Sequence, residues 1–157
     1  MRKIQSYLTI FCFVAGVLLM SGCGKQDRCA GQKASTDSAA PRIVSFDYQG
    51  TDARDPWLLI YKVHFADTDA DLNKGYAFVY VNKDTEPAEY SLTAAMAQSG
   101  ILDETQSGDF ALPIRLQETA ISKVGLDLSI QLRDESNHLS NCYTLTQSIT
   151  TKPNDSR

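Results

Sequence analysis

Three aspartates at alternate positions, Asp67, Asp69 and Asp71, are the densest group of chemically capable side chains in this 157-residue chain. Calcium takes roughly six to eight hard oxygens at about 2.3–2.6 Å. A loop with this spacing offers three carboxylates to one point, and Asp134 or Glu135 from a second acidic turn would close the shell. The set is not an EF-hand, because Leu72 fills the turn position that needs glycine and Phe78 the position that needs a bidentate glutamate. The competing role of such aspartates is purely local: in turns they accept hydrogen bonds from nearby backbone N–H groups.

Other chemistry is sparse. His64 and His138 are the two imidazoles, the first on a strand with its side chain away from the apolar face and the second in a turn. Acid–base work needs a group held within hydrogen-bond reach of its target, and histidines so placed are ordinary surface residues. The chain has no G-x-S-x-G elbow, no H-E-x-x-H and no G-x-x-x-x-G-K phosphate loop. Neighbouring acids such as Asp103 and Glu104 are common in exposed loops. The expectation is a non-catalytic protein.

The chain opens with Arg2 and Lys3, then a 14-residue run over 7–20 broken only by Thr9, then Ser21-Gly22-Cys23. A spanning helix needs about 20 apolar residues. This run is shorter and no cationic stop-transfer cluster follows, so it reads as a secretory signal over 1–22. Leu19-Met20-Ser21-Gly22-Cys23 resembles the lipobox of bacterial lipoproteins, with Met20 where leucine is usual. The resemblance implies cleavage before Cys23 and lipidation of Cys23 by a diacylglyceryl thioether and an amide-linked acyl chain such as palmitate. At about 0.8 kcal/mol per buried CH₂, two or three chains hold a protein to a membrane durably. In Gram-negative lipoproteins an aspartate after the lipidated cysteine retains the protein in the inner membrane. Gly24 stands there, so the implied location is the periplasmic face of the outer membrane, with the membrane as first partner.

Removing residues 1–22 takes away Arg2 and Lys3 and no acid, so the formal net charge moves from −4 to −6. With no basic cluster longer than a pair, nucleic acid is not an expected partner. Cys29 and Cys142 remain beside Cys23. An exported protein sits in an oxidising compartment that pairs such thiols, and closing so long a loop is worth roughly 4–5 kcal/mol by chain entropy. The alternative is a Cys29 that stays free or bonds another protein. Residues 23–40 are small and polar and read as a flexible tether with a span of about 20–25 Å.

From Pro41 the pattern turns to period two. Strands are predicted over 42–48, 57–66, 76–82, 89–93, 109–116, 126–133 and 141–150. The first puts Val44, Phe46 and Tyr48 on one face, and the second groups Trp57, Leu59, Tyr61, Val63 and Phe65. The sixth alternates most cleanly, with Leu126, Leu128, Ile130 and Leu132 on one side. The last turns Tyr143, Leu145 and Ile149 inward and Cys142 outward. Residues 94–98 are alanine-rich and fit a helical turn as well as a strand. Pro113 lacks an N–H and predicts an edge strand or a bulge. Tyr76, Phe78 and Tyr80 share a face; together in solvent they would form a binding platform for sugar or peptide.

Seven strands without a long helix predict an all-β, seven-stranded immunoglobulin- or fibronectin-III-like antiparallel sandwich over 41–151, with a disordered tail over 152–157. A small barrel is the competing architecture. In the sandwich, the loops over 67–75 and 134–140 meet the tether at one pole. Residues 65–72 resemble the F-x-D-x-D-G-D-L segment of bacterial extracellular immunoglobulin-like domains, and residues 133–140 are similar to their D-x-x-G-N-x-S turn. Ala70 and Asn137 stand where glycine is usual, and His138 where asparagine is. Asn137 tolerates a left-handed turn, whereas alanine adopts one only at a cost. These features together predict an envelope lipoprotein whose immunoglobulin-like module is structural or binds a further envelope protein. The alternative is a calcium-dependent module that recognises peptide or carbohydrate through the two loops. A hydrolase without a recognisable motif comes third.

Overall fold

A computed structural model of the chain describes Cys29 and residues 32–82, 86–117 and 125–148. The signal segment with Cys23, and also Ile149 and the tail over 152–157, lie outside the described residues. The described residues form seven strands: β1 Arg42–Thr51, β2 Leu58–Ala66, β3 Tyr76–Val81, β4 Ala88–Ser91, β5 Ser107–Arg115, β6 Leu126–Arg133 and β7 Tyr143–Gln147. A helix, α1 Leu92–Gln98, joins β4 to β5. All pairings are antiparallel, in one sheet of order β1-β2-β5 and another of order β4-β3-β6-β7. The two sheets pack as the predicted sandwich, with β4 beside β3.

The alternating patterns become the core. Leu126, Leu128, Ile130 and Leu132 of β6 are fully buried, as are Leu59, Tyr61, Val63 and Phe65 of β2. Each such side chain contributes about 1.5–3 kcal/mol when withdrawn from water. Pro113 sits on the edge strand β5, opposite Ile60, where its missing N–H costs no ladder bond on the open side. Residues 94–98 are helical: Leu92, Ala95 and Met96 face inward at helical spacing. The Ser99 hydroxyl donates to the Ala95 carbonyl and accepts from Ala111 N–H, which ties α1 to β5.

Strand β1 departs from the predicted alternation. Its pairing jumps from Ile43↔Phe65 to Ser45↔His64, and a bulge of this kind re-aims the side chains on either side of it. Val44 is therefore 45% exposed, while Ile43 and Phe46 both point inward. A second shift between Tyr48 and Gly50 leaves Tyr48 at the margin of the core, 5.5 Å from the Tyr61 ring.

The outer face of the four-stranded sheet also differs from expectation. Cys29 and Cys142 are bonded, 5.9 Å apart at Cα, and the bridge packs on Phe78 and Tyr80. Ser35 N–H donates to the Leu139 carbonyl and Ser35 Oγ accepts from Leu139 N–H, both at 2.8 Å. The later part of the stretch read as a tether is thus a strap bound to the domain. Phe78 is 6% exposed and Tyr80 1%, so Tyr76, Phe78 and Tyr80 do not form a solvent-facing platform. Only Tyr76 stays exposed, beside the Arg133 guanidinium.

Candidate metal centre

Two loops and the strap meet where β2 and β6 end and β1 begins. Asp67 follows β2 directly. Its N–H donates to the Gln106 carbonyl at 2.7 Å, and its Oδ2 accepts from Leu72 N–H at 2.9 Å. That bond starts the 3-10 turn Leu72–Lys74, whose Leu72 plugs into the core. Ala70 bends the loop with φ 62°, a left-handed conformation that costs a non-glycine residue about 1–2 kcal/mol. Gly75 ends it: a methyl group there would lie 2.0 Å from the Arg133 carbonyl oxygen, so only glycine lets the loop leave against β6.

The turn after β6 is built on Asp134. Its Oδ1 accepts from His138 N–H at 2.7 Å, its carbonyl accepts from Asn137 N–H at 3.2 Å, and Asn137 takes φ 67°. Asp71 bridges the two loops, its Oδ2 accepting from Ser136 N–H at 3.1 Å and from the Ser136 hydroxyl at 2.7 Å. His138 lies with Nδ1 3.0 Å from Asp134 Oδ2 and Nε2 3.6 Å from Asp37 Oδ2 of the strap.

Asp67, Asp69, Asp71 and Asp134 each bring one carboxylate oxygen within 4.8 Å of the others. Asp67 and Asp134 are 2% exposed. Asp67 Oδ1 and Asp71 Oδ1 are buried and accept no hydrogen bond. Buried polar atoms are nearly always paired, and an unpaired one carries its full desolvation cost. Burial pushes the Asp67 carboxyl up to about 7, helped by the neighbouring Asp69 side chain and by the charges of Asp69 and Asp71; Leu72 N–H opposes the shift. Asp134 is raised too, first by burial and then by the Asp71 charge, against the lowering contacts with His138. For His138, burial opposes the charged form, but the carboxylates of Asp134, Asp37 and Asp69 outweigh it and raise its pKa.

Four of the five predicted ligands therefore converge, and Glu135 does not. Its carboxylate turns outward to Lys74 Nζ at 2.9 Å, and both side chains are exposed. His138 takes the place beside the cluster instead, in a group with Asp69 and Asp134. The available signal was its position four residues after Asp134, across a tight turn. His64 pairs with Asp109 at 2.8 Å on the open face of the three-stranded sheet. Neither histidine lines the groove between β4, α1 and β5 or the one beside Phe78 and Leu139.

No protein-family model matches the chain, and no curated protein matches it. No helix among the described residues is long and apolar enough to cross a membrane.

Proposed function

We propose that this chain is an envelope lipoprotein, held by lipid on Cys23 to the periplasmic face of the outer membrane, whose sandwich is a non-catalytic module fastened at one pole by calcium. One observation carries the calcium: four converging carboxylates, two of whose oxygens are buried and unpaired. A divalent cation relieves the mutual repulsion and the missing bonds together. Carboxylates drawn from two separate loops suit calcium, which accepts irregular shells of roughly six to eight oxygens, better than magnesium, which demands a near-ideal octahedron. With the ion held, the loop after β2, the turn after β6 and the strap become one firm surface toward a further envelope protein.

Calcium titration of the mature chain, followed by melting temperature, tests this. Saturation at 100 times the dissociation constant stabilises a one-site protein by about 2.7 kcal/mol, and magnesium is expected to give less. An unmoved melting temperature at millimolar calcium sinks the metal reading. The lipobox over 19–23 supports the anchor; a Cys23→Ala chain should leave the membrane pellet, and its retention there would overturn lipid attachment.

A further inference from the structure

A second feature lies on the outer face of the four-stranded sheet, apart from the carboxylate cluster. A groove of about 440 Å³ runs there, with Phe78, Pro87 and Leu139 as its apolar lining. Arg133 forms part of its wall, and its guanidinium carbon sits 4.8 Å from the Phe78 ring centre and 5.2 Å from that of Tyr76. Lys74 and Arg115 are both paired with carboxylates, but among the described residues none pairs with Arg133. Gln32, on the strap, and Asn137, in the turn, line the same groove, and neither side-chain amide makes a hydrogen bond among the described residues.

An arginine whose guanidinium carbon lies over two rings is held in place by cation–π attraction. With no carboxylate paired to it among the described residues, its planar set of N–H donors remains available to an anion. The anion that matches such a set with two parallel bonds is a carboxylate or a phosphate. Glu89 lines the same groove, and its charge disfavours a dianionic phosphate or a polyacid over a single carboxylate. The apolar lining asks for an apolar group next to that carboxylate. A sugar acid is the poorer match, because the guanidinium already occupies ring surface on which a sugar would stack.

We infer that this groove binds the C-terminal carboxylate of a peptide whose last side chain is apolar. The carboxylate lies on Arg133, the side chain lies against Phe78, Pro87 and Leu139, and the amides of Gln32 and Asn137 meet the terminal peptide groups. Because the strap supplies one wall, the site exists only in the disulfide-closed domain. Its lining includes no member of the carboxylate cluster, although Asn137 shares the turn after β6 with Asp134.

The test titrates the mature chain with an N-acetylated tripeptide ending in leucine, either as the free acid or as the C-terminal amide, with glucuronate as a third arm, and reads binding by NMR shifts. The free acid is expected to bind at least about tenfold more tightly than the amide, the scale of one charge-assisted bidentate contact. Arg133→Gln should abolish that difference. Equal binding of acid and amide, no binding of either up to about 10 mM, or tighter binding of glucuronate would each overturn the inference. The acid–amide comparison uses the unaltered protein, so it decides the matter even where Arg133→Gln fails to fold.

Discussion

Two acidic turns in this sandwich have similar composition and different chemistry. Between β1 and β2, Asp52 Oδ1 accepts from Arg54 and Asp55 N–H, Asp55 Oδ1 accepts from Trp57 N–H, and the other Asp55 oxygen meets Arg115. Backbone donors and an arginine satisfy those carboxylates, which hold a turn and nothing else. Between β2 and β3, Asp67 and Asp71 spend one oxygen each on N–H or hydroxyl donors, while the other is buried and unpaired near two further carboxylates. An acid-rich loop becomes a candidate ion site through the fate of its second oxygen, and a count of aspartates does not reveal that fate.

The largest expected effect separates the two turns directly. Saturating calcium should raise the melting temperature of the unaltered chain by roughly 10 °C, taking about 2.7 kcal/mol and about 4 °C per kcal/mol for a domain near 100 residues. Asp67→Asn should erase that rise and Asp55→Asn should keep it; identical responses in the two variants would dissolve the distinction. Next in size is Gly75→Ala, expected to cost about 1–3 kcal/mol in the urea midpoint because its methyl meets backbone.

Without metal, the two asparagine variants should move stability in opposite directions. Asp55→Asn weakens the bond to Arg115 and lowers stability by about 1 kcal/mol, whereas Asp67→Asn removes a crowded buried carboxyl and raises the melting temperature. A pH series in chelator extends this. The Asp67 carboxyl moves from 3.8 to about 7 on folding, so the folded chain holds the extra proton between those values. The contribution of this carboxyl to metal-free stability is then greatest below about pH 4 and is lost as pH rises through about 7. His138, also raised, adds to the loss as it deprotonates. Calcium must displace the proton, so its affinity should weaken below about pH 7; melting curves that are flat or rise with pH in chelator would contradict the crowding at Asp67. The smallest effect is Ala70→Gly, which relieves the left-handed strain and should stabilise by under about 1 kcal/mol, part of it offset by greater freedom of the unfolded chain.

Strands β2 and β6 were legible in the sequence because each is central in its sheet and alternates without interruption. The bulge at Val44 was not, since the residues around it alternate as well as any and the shift arises only from pairing with β2. The cover over Phe78 and Tyr80 was hidden for a different reason: it comes through a bridge between cysteines 113 positions apart, which local pattern does not encode. In the candidate site, alternate spacing in one loop and an acid after β6 pointed to Asp67, Asp69, Asp71 and Asp134. Choosing between Glu135 and His138 depended on which way a tight turn aims its side chains, and the left-handed Asn137 sends His138 back over Asp134.

The Cys29–Cys142 bond has a mechanical consequence. Strands β1 to β6 lie inside the covalent ring it closes, and of the described strands only β7 follows it in the chain. A pull at the N-terminal end reaches Cys29 and crosses at once to Cys142, because the short sulfur path goes taut while the long polypeptide path stays slack. Tension along the chain therefore bypasses the core, the carboxylate cluster and the Arg133 groove, and bears on β7 and its hydrogen bonds to β6.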